Sequence, residues 1–257
     1  MRTYKLTIAY DGSRFRGWQR QPDTELTIQG ILENQISRLA GYPVEVNGSG
    51  RTDGGVHARG QTASIILSGK VEETEFLMRL NACLPEDIRV VGMQLAKNGF
   101  HARHSARGKC YQYTVDTMEK ANVFTRKYTF HYPHQLDVGK MKKAAEYLLG
   151  SHDFAGFTDR PDEKCSVRRI DAIEIRKGDA ESAAADGLLP GQIQICYCGS
   201  GFMYHMVRIL TGTLLEVGVG ERTCESVRTV LESKKRSAAG FLAPAAGLCL
   251  MEVKYRE

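Results

Sequence analysis

Tyr4-Lys5-Leu6-Thr7-Ile8-Ala9-Tyr10 is the stretch from which the fold is read. Tyr4, Leu6, Ile8 and Tyr10 alternate with Lys5, Thr7 and Ala9, and a period of two buries one face of a strand. Downstream the period changes. Thr27 is placed to cap a helix in which Ile28, Ile31, Leu32, Ile36 and Leu39 recur at helical spacing, and Gly41 stands where such helices end in a left-handed residue. Strands are expected around Val44–Val46 and Thr62–Leu67, a short helix near Thr74–Asn81 and a strand over Ile88–Leu95. The order β-α-β-β-α-β describes a ferredoxin-like unit.

The second half gives a related, longer pattern. Cys110–Val115 and Tyr128–His131 read as strands, and Val138, Met141, Ala144, Ala145 and Leu148 form one helix face stopped by Gly150. Strands near Val167–Arg176 and Gln192–Cys198 flank a polar insert, Gly178–Gly191, expected to be a mobile loop. A long helix over Phe202–Val217 carries Met203, Val207, Leu210 and Leu214, and Leu248–Val253 supplies a last strand. The expected class is therefore α+β. Two ferredoxin-like, RRM-like units, 1–104 and 105–257, would join mainly antiparallel sheets around a central cleft.

A chain of 257 residues with 42% hydrophobic and 25% charged residues has the composition of an ordinary globular protein. No apolar run approaches the roughly 18 residues of a membrane span, so no membrane partner is expected. Met1–Leu6 runs straight into a strand without a secretory h-region, and a cytoplasmic location follows as the expectation. The seven cysteines are scattered and include no Cys-x-x-Cys pair. That argues against a disulfide framework and a structural zinc site. Cys196 and Cys198 share a strand face and are expected to pack as small hydrophobes.

The net charge of +5 matches the local excess between Lys97 and Lys127, where seven cations face only Asp116 and Glu119. His101, His104, Tyr111 and Tyr113 are interleaved with them. Cations track a phosphate backbone and aromatic faces accept unstacked bases. The same composition also suits a solvated strand edge.

The chemistry concentrates in Gly48-Ser49-Gly50-Arg51-Thr52-Asp53-Gly54-Gly55-Val56-His57-Ala58. Four glycines in eight residues give the backbone angles that other residues avoid. Asp53 is the one acid in the turn, two residues from Arg51. A carboxylate on a rigid turn beside a phosphate-seeking cation suits attack within a nucleic acid. A polar hairpin loop with a surface ion pair is the other reading of the same residues. The Gly-Lys-Ser/Thr ending of a P-loop is missing, as is the acid at dinucleotide-fold spacing.

Gly50–Ala58 resembles the active-site motif of the TruA family of tRNA pseudouridine synthases. Other segments resemble that family's motifs in order: Tyr10–Gln19, Phe100–Arg103, Lys109-Cys110-Tyr111-Gln112-Tyr113, Gly201–Arg208 and Ala243–Leu248. The likeness spans nearly the whole chain. Gly54 departs from it, since the family usually has alanine there; the change loosens the turn and removes no chemical group.

The resemblance implies an isomerase that converts uridine to pseudouridine in the anticodon stem-loop of tRNA after flipping the base out, with no cofactor and no metal. It implies a homodimer gripping one tRNA. It makes Asp53 the nucleophile and matches Tyr111 to the family's active-site tyrosine, where its ring can stack on the uracil. It matches Arg208 to the arginine that keeps the acid ionised, because a carboxylate withdrawn from water takes up a proton unless a cation faces it. Arg51 would contact phosphate or fill the space left by the flipped base. Read without the resemblance, Tyr111 is a core strand tyrosine sooner than a site residue, and Arg208 is a snorkelling residue on an apolar helix as often as a buried partner.

Arg14, Arg16 and Arg20 are candidate backbone contacts or solvated charges, and Lys234-Lys235-Arg236 reads as a helix-end cluster. The pairs His101/His104 and His131/His134 fall in strand or loop contexts, with Pro133 breaking any helix, so metal binding is not expected. A non-catalytic RNA-binding module is the competing functional class.

Overall fold

The computed structural model describes residues 1–160 and 165–256. In chain order the strands and helices are β1 (Arg2–Tyr10), α1 (Ile28–Ala40), β2 (Asn47–Gly48), β3 (His57–Leu67), α2 (Glu73–Cys83), β4 (Ile88–Leu95), β5 (Ala106–Asp116), β6 (Phe130–His131), α3 (Val138–Glu146), β7 (Gly150–Asp153), β8 (Val167–Lys177), α4 (Ala180–Asp186), β9 (Gln192–Gly199), α5 (Met206–Gly218), α6 (Ser226–Ser233) and β10 (Leu248–Tyr255). The fold is mixed, with mostly antiparallel pairing. The chain divides into two compact units, Met1–Arg107 with Cys249–Glu257, and Gly108–Leu248. No helix among the described residues is long and apolar enough to cross a membrane.

In the first unit β1 lies between β3 and β4, antiparallel to both. Its alternation is literal: Tyr4, Leu6, Ile8 and Tyr10 are at most 5% exposed. α1 begins where Thr27 Oγ1 accepts from the Gly30 N–H and ends at Gly41, φ 79°. It buries Ile28, Leu32 and Ile36, each worth roughly 1.5–3 kcal/mol as a fully buried side chain.

The strand expected at Val44–Val46 falls instead at Asn47–Gly48, paired with Ser64 and Ala63 of β3. Val44 and Val46 are buried without ladder partners of their own and serve as apolar anchors. The same edge of β3 then takes β10 in parallel, Cys249 opposite His57 and Leu250 opposite Ala58. The sequence reading gave this last strand to the second half; its pairing puts it beside the loop that carries Asp53.

In the second unit β9 is central, antiparallel to β5 and to β8, and β7 pairs with β8. β6 adds two residues parallel to β5. Tyr113, Val115, Ile195 and Tyr197 are fully buried with Met141, Ala144, Leu210 and Leu214 from α3 and α5.

Three expectations are corrected here. The insert Gly178–Gly191 contains a helix, α4, because Asp179 and Ser182 form a reciprocal capping box and an alanine-rich run follows. Cys198 does not pack as a lone hydrophobe: it is joined to Cys110 in a disulfide across the registered β5–β9 pair, Cα–Cα 4.2 Å. A partner 88 residues away leaves no local spacing signal. Finally, α5 starts at Met206, not Phe202, because His205 adopts a left-handed backbone, φ 60°, at its N-cap.

Candidate active site

Asp53 sits on the loop joining β2 to β3, and that loop is fastened on both sides. On one side the Ser49 N–H donates to Thr62 O (2.8 Å), Ser49 Oγ donates to Gln61 Oε1 (2.7 Å), and Gln61 Nε2 donates to Gly50 O (3.2 Å). On the other, the segment after β1 grips it. The Trp18 N–H donates to Thr52 O (3.0 Å), the Gly55 N–H to Phe15 O (3.3 Å) and the Gly12 N–H to His57 Nδ1 (3.1 Å). Tyr10 and Thr52 share a buried hydroxyl–hydroxyl bond of 2.8 Å. Burial pushes the Tyr10 hydroxyl well above its ordinary value, only partly offset by hydrogen bonds to Thr52 and Gln61, so it stays protonated and holds the loop.

The turn closes where the Val56 N–H meets Asp53 O at 3.2 Å, with Gly55 at φ 79° in its third position. Two further glycines are dictated by contact. A Cβ on Gly12 would stand 2.0 Å from Val56 O. One on Gly17, φ 102°, would stand 2.7 Å from Thr52 O and 3.2 Å from the Asp53 carbonyl carbon. Asp53 itself is half-buried. Its main chain is thus immobilised while the side chain remains within reach of solvent. Gly54 behaves differently: an added Cβ would make ordinary contacts at 3.5–3.7 Å, and its φ is not left-handed.

Arg51 lies on the same loop, exposed, its Nε donating to Gln19 Oε1 (3.2 Å) while Gln19 bonds Gln29 on α1 (2.8 Å). Arg14 and Arg20 are engaged with Asp87 and Glu33 at 3.0 and 2.9 Å, both as largely exposed cations.

The other two candidates belong to the second unit. Tyr111 is 8% exposed and meets Phe202 edge-on, ring centroids 5.4 Å apart. Arg208 projects from the first turns of α5, and its Nε donates to Ala243 O at 2.7 Å while the Ala243 N–H returns a bond to Arg208 O at 3.3 Å. The segment around Ala243 is strapped to α5. The Gly240 N–H donates to Thr213 Oγ1 (2.9 Å), and the Phe241 N–H to Glu216 Oε1 (2.9 Å). A Cβ on Gly212 would strike Phe241 O at 1.9 Å.

Tyr113 donates its hydroxyl to Pro244 O at 2.7 Å. Burial drives that hydroxyl far above its ordinary value, against the pull of the nearby Arg208 charge. The start of α5 is set by His205, whose Nδ1 is 2.5 Å from Asp159 Oδ2, with Arg236 Nε 2.8 Å from the other oxygen. Lys234 caps α6 and pairs with Asp153 at 2.7 Å, which makes the Lys234–Arg236 run a structural cluster.

A profile of the tRNA pseudouridine synthase family matches residues 6–105 and 144–256. The chain belongs to the tRNA pseudouridine synthase family. It is 42% identical over 256 residues to a protein named tRNA pseudouridine synthase A from Bacillus sp., covering 99% of this chain and 100% of that one. It is 39% identical over the same coverage to the protein of that name from Acetivibrio thermocellus, and 40% to that of Clostridium kluyveri. As a tRNA pseudouridine synthase it is an isomerase.

One alternative nucleophile in this tRNA pseudouridine synthase is removed by physical chemistry. Cys249 lies opposite His57 in the register of β10 on β3. Burial pushes the Cys249 thiol up to about 11, more than Arg59 pulls it down, so it is protonated at neutral pH and is not a nucleophile. The residues that sequence reading passed over are Gly12, Gly17 and Thr52, which fix the Asp53 loop. Only Gly17, between Arg16 and Trp18, leaves a trace, as a glycine inside an otherwise bulky run.

Proposed function

We propose that this enzyme isomerises uridine to pseudouridine in the anticodon stem-loop of tRNA, with Asp53 as the nucleophile. In the reaction the bond from C1′ of the ribose to N1 of uracil breaks, the base turns, and C1′ bonds to C5. The proton leaves C5 and N1 ends protonated, so no atom is gained or lost and no redox partner is consumed. The observation that carries the reading is the loop itself: Asp53 is half-buried on a backbone clamped from both flanks. A carboxylate carried on a fixed backbone is a nucleophile that has less freedom to lose on reaching its target.

Arg51, exposed on the same loop, suits the phosphate beside the flipped nucleoside or the gap it leaves. Tyr111 suits stacking on the extracted uracil, and Arg208 suits holding a carboxylate ionised. We further read each unit as ferredoxin-like, supported in the first by its β1-α1-β2-β3-α2-β4 order and antiparallel pairing. The enzyme is proposed to act in the cytoplasm and as a homodimer, the homodimer being what the family resemblance implies. The experiment is pseudouridine mapping of tRNA incubated with the protein. New pseudouridine confined to the anticodon stem-loop supports the reading, and an unchanged tRNA overturns it.

A further inference from the structure

The turn between β5 and β6 presents an aromatic ring to solvent on a built frame. Phe124 is 89% exposed and Val123 59%, with Met118 at 52%. A large ring so exposed in an otherwise ordered segment is unusual, because burying it would return free energy.

The frame is specific. The Asp116 carboxylate, in a residue 1% exposed, accepts from the Met118 N–H (3.1 Å) and the Asn122 N–H (3.2 Å). Asn122 Oδ1 then accepts from the Phe124 N–H (2.9 Å), an Asx turn that sets the ring at the tip. The Arg126 N–H donates to Asn122 O (2.9 Å), the Tyr128 N–H to Thr125 O (2.8 Å), and Thr117 Oγ1 to Gly191 O (2.6 Å). His131 Nε2 meets Met118 O at 2.9 Å. The turn therefore pays little ordering entropy on binding.

In the same turn as Phe124 are Lys120, Arg126 and Lys127, all exposed, while Glu119 is the turn's one exposed acid and Asp116 is buried in the frame. We propose that this turn is a contact for the RNA substrate, Phe124 stacking on an unpaired base while Lys120, Arg126 and Lys127 meet phosphates. An aromatic face among cations matches single-stranded nucleic acid, where bases stack and charges track the backbone. A second copy of the chain fits less well. It would bring the same excess of positive charge, and one turn is far short of the roughly 1,200 Å² a stable interface buries. The inference rests on the tRNA reading above.

The test is tRNA binding by the full-length protein, measured by fluorescence anisotropy over a salt series, with sedimentation velocity run without RNA. Phe124→Ala should weaken binding roughly 5- to 150-fold, the range of one lost base stack, and Phe124→Tyr should restore it. Replacing Lys120, Arg126 and Lys127 by Gln should flatten the dependence of log K on log salt by about 0.7 per cation. Phe124→Ala binding as tightly as the unsubstituted protein overturns the proposal. So does a loss of affinity accompanied by a change in oligomeric state, which would make the turn a protein interface. Because the readout is binding, it separates from the functional reading. That reading fails if the unsubstituted enzyme leaves tRNA without new pseudouridine, whatever Phe124→Ala does to binding.

Discussion

Gly17→Ala should damage catalysis at a distance along the chain, and Gly54→Ala, next to Asp53, should not. Gly17 holds φ at 102°, and an added Cβ would stand 2.7 Å from Thr52 O and 3.2 Å from both the Asp53 carbonyl carbon and the Gly54 nitrogen. All three are backbone atoms, so no flexible side chain can yield. Restoring ordinary contact requires the loop to move by about 0.7 Å, and forcing alanine into that backbone region costs on the order of 1–3 kcal/mol. A nucleophile displaced by about 1 Å loses on the order of 100-fold in rate. A shift somewhat smaller than that predicts a 10- to 100-fold slower turnover, measured as tritium released from tRNA labelled at C5 of uridine.

At Gly54 the Cβ contacts are 3.5–3.7 Å and φ is not left-handed. Alanine there should leave the rate within about twofold and raise stability by roughly 0.4–1 kcal/mol through the unfolded chain. Urea denaturation of both variants supplies the stability arm. A Gly17→Ala enzyme with full rate and full stability refutes the reasoning that backbone contact fixes Asp53, as does a Gly54→Ala enzyme that loses either.

Two further outcomes follow from the site. Tyr113→Phe removes the hydrogen bond to Pro244 O and should cost about 1 kcal/mol, lowering the urea midpoint; an unchanged midpoint would show that water replaces the hydroxyl. Cys249, its thiol pushed up to about 11 by burial, should resist iodoacetamide at pH 8 while exposed Cys83 and Cys165 are alkylated, as mapped by mass spectrometry. The sign for stability is set by the raised value: the contribution of the neutral thiol is complete below its ordinary 9 and fades as pH climbs through about 11. Rapid labelling of folded Cys249 at pH 8 would contradict this.

How much of this was legible beforehand depended on the range of the interaction. α1 could be read to the residue because its signals are local: Thr27 caps it and Gly41 ends it in the left-handed position. β1 announced itself because one buried face imposes strict alternation on Tyr4, Leu6, Ile8 and Tyr10. α4 was missed for lack of an apolar stripe, although its capping box and alanines are also local.

What could not be read joins distant residues. The Cys110–Cys198 bond depends on strand register, and the place of β10 on β3 depends on a pairing between chain segments almost 200 residues apart. At the site, the glycine-rich turn around Asp53 was visible as composition. Its fastening was not, because Gly12 matters through a close approach to Val56 that no pattern within the N-terminal loop encodes, and Gly17, though visible in a bulky run, gives no sign there of its approach to Thr52.

The most direct measurement replaces one atom at the centre of the proposal. Asp53→Asn keeps the size of the side chain and removes its charge, and the rate to follow is tritium release from C5-labelled tRNA alongside tRNA affinity. Release should fall to background while the affinity persists. Release at the unsubstituted rate would mean that another residue attacks the nucleoside and that the clamped loop serves some other end.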